Sequence, residues 1–259
     1  MLKRFHGLKA TFYMFFLLTF LFMTGFYVFS PAKADTVTND SYDNLVVQIV
    51  NGNPGVTYAE IDELIKEEAN SKRVSPHVIA QSVLQENNKD VADVQKDVFL
   101  FSEERSSGGG NVQLVTARQA GDIFYSPSST AGVKHGHAGI YSTKTQIIEA
   151  EGPGKKVHYV SKIGKKFKTV ARGTQIMYVK TTQAKRNAAV KRARGYIGRS
   201  YKYNFAFNKT ESGAMNCSQL VWSAYKNATG IDLDGDGGHG IYPKDFTRSK
   251  WTVTYAVVR

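Results

Sequence analysis

Cysteine is almost missing from this chain: Cys217 is the only one in 259 residues. An internal disulfide is therefore excluded, and so is a metal site built from several thiolates. A single cysteine is a buried bystander, a bridge to another molecule, or a working thiol. Long apolar runs are missing as well, apart from residues 11–30, so nothing later in the chain is long enough to cross a membrane as a helix. There is no internal repeat and no zinc-finger spacing. Acidic residues are in deficit, 22 against 34 lysines and arginines, but the basic residues are scattered rather than clustered. That scatter argues against a nucleic-acid partner.

The N-terminus carries a strong pattern. Lys3, Arg4 and Lys9 precede the uncharged run 11–30, and Pro31-Ala-Lys-Ala34 places small residues where signal peptidase reads. This order predicts a signal peptide over residues 1–34, cut between Ala34 and Asp35, with an uncleaved membrane anchor as the alternative. Either way the remaining chain is expected outside the cytoplasm, secreted or associated with the cell wall, with the membrane touched only through this segment. Cleavage removes four basic residues and lowers the net charge from +12 to +8. A basic exported protein is drawn to anionic wall polymers and lipid head groups.

The mature chain divides by pattern into residues 35–111, a helical accessory region with linker, and residues 112–259. In the first part Thr57-Tyr-Ala-Glu60 is a capping box, with Tyr58, Ile61, Ile65 and Ala69 at helical spacing behind it. Ser75-Pro76 predicts a helix start, with a further helix over residues 91–101. Ser106-Ser-Gly-Gly-Gly110 predicts a linker. From Val115 the pattern changes to strands: Gly121-Asp-Ile-Phe-Tyr125, Ala138-Gly-Ile-Tyr141, Gln146-Ile-Ile-Glu-Ala150, and residues 157–160, 175–179 and 253–258. Helices are expected over residues 183–196 and 217–227, the latter stopped by Gly230. Grouped strands and grouped helices predict an α+β domain.

Asn216 is a suitable N-cap, which sets Cys217 in the first turn of a helix. The free N–H groups and partial positive charge of that turn stabilise a thiolate and can hold an oxyanion. The competing reading is a core cysteine on the stripe of Leu220, Val221 and Ala224. Of the six histidines, only His135 and His137 lie beside a strongly patterned strand, and either can serve as the base that takes the thiol proton. A His-x-His pair also fits zinc, but no second cluster supplies further ligands, so no metal and no cofactor are expected. Asp232-Leu-Asp-Gly-Asp-Gly237 echoes a calcium loop, yet its twelfth position is Pro243, and it reads as an acidic turn. Tyr141, Tyr201, Tyr203 and Phe205 either line a groove or belong to the core.

Several of these segments resemble one family. His137-Ala-Gly-Ile-Tyr141 followed by Ile147-Ile-Glu-Ala150 is similar to the histidine strand and the following strand of the NlpC-type papain-like peptidases. Asn216-Cys-Ser-Gln-Leu-Val221 resembles their nucleophile helix, and Gly198-Arg-Ser-Tyr201 the Gly-x-x-Tyr ahead of it. The order here, histidine before cysteine, resembles the circularly permuted branch. Gln219 replaces the family's usual Gly, and no Trp-Gly-Gly follows the Tyr. The resemblance implies a circularly permuted papain-like (NlpC-type) domain over residues 112–259, with an antiparallel sheet packed on the Cys helix. It also implies Cys217 as nucleophile, His137 as base and Glu149 as the group orienting it, with Tyr201 near the Cys; Tyr201 and the groove candidate Tyr203 are the expected substrate contacts. Glu151 is the competing orienter. The substrate class implied is a cell-wall peptide amide. A lipid amide or ester on the same fold, and a non-catalytic wall binder, are the alternatives. On the export reading, the intact mass of secreted protein should begin at Asp35 within a few residues; a chain that keeps Met1 in the membrane fraction would establish the anchor instead.

Overall fold

The computed structural model describes residues 40–103, 112–129 and 132–259, so the expected signal segment and the Gly-rich linker lie outside the described residues. Asp40–Arg259 forms one compact unit. It begins with three helices, α1 (Tyr42–Gly52), α2 (Tyr58–Lys72) and α3 (Pro76–Glu103). Thr57 and Glu60 make the reciprocal capping box read from the sequence, and the three helices close on Leu45, Val46, Ile49, Ile61, Ile65, Ile79 and Val83. Each such side chain contributes about 1.5–3 kcal/mol by leaving water.

α3 corrects one expectation. It is a single helix of 28 residues rather than two. The apolar stripe stops at Leu84 because the next inward positions are polar: Asn87 and Asp90 are buried against other parts of the chain. Periodicity tracks apolar burial, and here the buried face changes character while the helix continues.

The rest is a sheet with two covered faces. Its strands are β2 (Ile123–Ser126), β3 (His137–Thr143), β4 (Gln146–Glu149), β5 (His158–Ser161), β7 (Thr174–Val179) and β8 (Thr252–Val258), in the order β5-β4-β3-β2-β7-β8. Every pairing is antiparallel. A short ribbon of β1 (Val112–Gln113) and β6 (Thr169–Val170) lies apart. Side chains alternate across the sheet. Ile123, Tyr125, Ile140 and Ile148 pack with Ala189 of α4 (Gln183–Arg194) and Leu220 and Val221 of α5 (Cys217–Thr229). Phe124, Tyr141, Ile147 and Ile176 form the core of the opposite face. The fold is therefore α+β with an antiparallel sheet on the Cys helix, as expected. Gly230 ends α5 in the left-handed region, φ 75°.

The helical region meets the segment leading to α5. Asn53 accepts a hydrogen bond from the Phe205 N–H at 2.7 Å, and Lys202 pairs with Glu60 at 2.9 Å. Glu86 of α3 accepts from the N–H groups of His239 and Gly240. Gly240 is needed there because a Cβ would sit 1.9 Å from the Phe205 carbonyl oxygen. Among the described residues, no helix is long and apolar enough to cross a membrane.

Candidate active site

Cys217 is the first residue of α5. The Asn216 side chain caps the helix by accepting from Gln219 N–H at 2.9 Å, and Gln219 Oε1 accepts from Asn216 N–H in return. Gln219, the departure from the family's Gly, thus closes a capping box and also donates to the Thr210 carbonyl at 2.9 Å. Asn216 Nδ2 donates to the Asn204 carbonyl, and Asn208 Nδ2 donates to both Asn216 Oδ1 and the Ile241 carbonyl. Ser218 Oγ reaches the same Ile241 carbonyl at 2.6 Å. This buried network fixes the helix start, where the first-turn N–H groups point at whatever lies before the sulfur.

His137 opens β3. Gly136 before it has φ 78°, and its N–H is bonded to the Ser128 carbonyl at 2.9 Å, which turns the chain into the strand. His137 Nε2 lies 2.6 Å from Glu149 Oε2, and the ring is hydrogen-bonded to Cys217. With Nε2 committed to the carboxylate, Nδ1 is the nitrogen left for the sulfur. Burial alone would push the imidazole pKa down. The bonds and charges of Cys217 and Glu149 outweigh it and raise it to about 9.

Glu149 is fully buried at the end of β4. Burial disfavours its charge, but His137 and Lys168 reverse the balance and hold the carboxyl down to about 2. Its second oxygen, Oε1, forms an ion pair with Lys168 at 2.9 Å. Lys168 also donates to Glu151 at 2.8 Å, so Glu151, 40% exposed, meets the lysine rather than His137. His135 lies elsewhere. Its Nε2 donates to the Gly52 carbonyl at 3.0 Å, and its ring packs 4.6 Å from Phe205. Burial lowers its pKa to about 4, so it is neutral at ordinary pH.

Around the sulfur, Tyr203, Phe205 and Tyr242 form an apolar cluster with Cys217, and Tyr201 packs against it. Burial and the nearby Cys217 raise the phenol pKa of both Tyr201 and Tyr203. Cys217 is only 1% exposed and His137 6%. On the His137 side opens a cleft of about 510 Å³. Ser128, Lys134, Lys168 and Ala171 line it, and α3 contributes Val94 and Val98 to its wall. The arrangement supplies a thiol at a helix N-terminus, a base touching it, and a carboxylate holding the base. That is the equipment for acyl transfer through a thioester.

Residues 111–237 match the family described as "Permuted papain-like amidase enzyme, YaeF/YiiX, C92 family". The chain is also 31% identical over 240 residues to "Uncharacterized protein YycO" of Bacillus subtilis (strain 168), covering 92% of this chain and 94% of that one. The chain belongs to the permuted papain-like amidases. It is a papain-like cysteine amidase, with the histidine strand ahead of the cysteine helix. A likeness to the crystal structure of metalloprotein yiiX from Escherichia coli O157:H7 covers 54% of this chain and 97% of that one at 16% identity. Its TM-score is 0.35.

Sequence reasoning missed Lys168 and the Asn204–Asn208–Asn216 network. Lys168 sits in the run Gly164-Lys-Lys-Phe-Lys168 and looks like any surface lysine; only its partner Glu149, distant in sequence, gives it meaning. An imidazolium raised to about 9 is present below that pH and lost above it. The alkaline limb of kcat/KM should therefore fall near pH 9. Glu149→Gln removes the charge that supports the imidazolium, so the limb should move to lower pH and kcat should drop about tenfold or more. Glu151→Gln should change neither; the reverse pattern would give the orienting role to Glu151.

Proposed function

We propose that this amidase hydrolyses peptide amide bonds of the cell wall, outside the cytoplasm, with Cys217 as nucleophile, His137 as acid–base and Glu149 as the group that orients the ring. The observation that carries the reading is the unbroken chain of hydrogen bonds from Cys217 through His137 to Glu149. The thiolate attacks the amide carbonyl carbon, and the first-turn N–H groups of α5 stabilise the oxyanion. The tetrahedral intermediate collapses as the imidazolium protonates the leaving nitrogen, breaking the C–N bond and leaving a thioester. Water then gives a proton to His137 and attacks the thioester, releasing the acid and restoring the thiolate–imidazolium pair.

Two features support a peptide. The cleft beside His137 carries Lys134 at an exposed position and hydroxyl groups from Ser128 and Ser129, which suit carboxylates and amides. The N-terminal pattern and the basic excess suit an exported protein working on an anionic wall. Tyr201 and Tyr203, beside the sulfur, are the proposed contacts of the acyl portion. A second reading, hydrolysis of a lipid amide or ester, is favoured by Val94 and Val98 on the cleft wall.

Purified wall fragments and N-acylated lipid vesicles, each incubated with the protein and read by mass spectrometry, separate these readings. Muropeptides should gain the mass of one water with a new amine and carboxyl end, and lipids should stay intact. Cys217→Ala and His137→Ala should be inert, whereas His135→Gln should keep a measurable share of turnover. Lipid cleavage with intact muropeptides would establish the second reading, and inertness toward both would dismiss the amide-hydrolase assignment of substrate.

A further inference from the structure

The acidic loop at 232–237 is not used by the chemistry above. Read alone it is a turn. The structure adds two residues that the loop does not contain, Asp245 at the start of α6 (Asp245–Arg248) and Asp90 on α3. Carboxylate oxygens of Asp234, Asp236 and Asp245 all lie within 4.8 Å of one another. That is the span of oxygens gathered around one calcium ion, whose bonds are about 2.3–2.6 Å long.

Asp90 supplies the independent observation. It is 2% exposed, and neither of its oxygens accepts a hydrogen bond. Its direction is fixed by Arg248. The single nitrogen Nη1 of that residue stands 3.0 Å from Asp245 Oδ1, 3.5 Å from Asp236 Oδ2 and 3.6 Å from Asp90 Oδ1. Three carboxylates thus face one point, and the buried one is the least well served. A buried carboxylate that accepts no hydrogen bond is costly to keep charged without a cation beside it.

The local charges do not balance. Glu86, Asp90, Asp93, Asp234, Asp236 and Asp245 gather here. The cations that pair with this group are Arg248, Lys89, which meets Asp236 at 3.1 Å, and Lys209, which meets Asp234 at 2.5 Å. Asp232, by contrast, turns away to Trp222 and Lys226. The site is therefore not a helix–loop–helix calcium loop but a cluster assembled across the fold.

We propose that Asp234, Asp236 and Asp245 bind a calcium-class divalent cation, with Asp90 completing the site from α3. All the donors are oxygens, which suits a hard cation and not zinc. Nη1 and Nη2 share one rigid guanidinium, so Arg248 swings as a unit toward Asp93, which Nη2 already meets, and leaves the Nη1 position to the cation. The cation ties α3 to the loop that ends at Ile241 and Tyr242. Ile241 in turn holds Asn208 and Ser218 at the start of the nucleophile helix. Occupancy therefore stabilises the junction between the helical region and α5.

The test is direct titration of the whole chain, stripped with chelator, with calcium chloride in a calorimeter, beside thermal unfolding with and without the ion. One equivalent should bind with Kd below about 1 mM, the weak end of extracellular calcium sites. Tm should rise with calcium concentration, as for any ligand of the native state. Asp236→Asn and Asp90→Asn should each weaken binding at least tenfold, and Asp43→Asn on α1 should not. No saturable uptake by wild-type protein at 5 mM calcium would overturn the proposal and leave Arg248 as the resident cation. Unchanged binding in Asp90→Asn and Asp236→Asn would overturn it equally.

Discussion

The site depends on one buried carboxylate held from two sides. Glu149 has no exposure, yet its oxygens meet His137 at 2.6 Å and Lys168 at 2.9 Å. A charge in that position is tolerated only while both partners stay, because breaking such a pair costs about 3–5 kcal/mol. The same geometry sets the chemistry. The carboxylate fixes which ring nitrogen faces it, and so which faces the sulfur, and it favours the imidazolium that accompanies a thiolate. Lys168 acts at one remove: it keeps Glu149 ionised and holds Glu151, the neighbouring acid, to itself.

Everything else serves to bring two elements together. β3 and β4 deliver the histidine and the glutamate in adjacent register, Ile140 opposite Ile148. α5 packs on the same sheet through Leu220 and Val221. The asparagine network locks the first turn of α5, and Asn53 and Glu86 hold the connecting segments from the helical region. The N-terminal helices are thus bonded to the frame around Cys217, and one of them, α3, also walls the cleft.

Much of this was legible in the sequence where a local rule governs it. The capping box at Thr57, the hairpin of β3 and β4 and the stop at Gly230 each follow from residues a few positions apart. Cys217, His137 and Glu149 were legible because their flanking residues resemble a known pattern, and the structure brings these three together. What stayed hidden depends on partners far apart in the chain. The continuity of α3 is masked by its buried Asn87 and Asp90. Lys168 is a lysine among lysines until Glu149 is beside it. Gln219 looks like a departure from the family, and only the closed cap at Asn216 shows what it does.

His137 carries a proton in the resting protein because Cys217 and Glu149 both bond to its ring. Nitrogen NMR of the ring in the uninhibited enzyme measures this directly. At pH 7.5 both nitrogens should show imidazolium shifts, titrating to the neutral ring at about pH 9. A ring that is already neutral at pH 7.5 in the folded wild-type protein would contradict it.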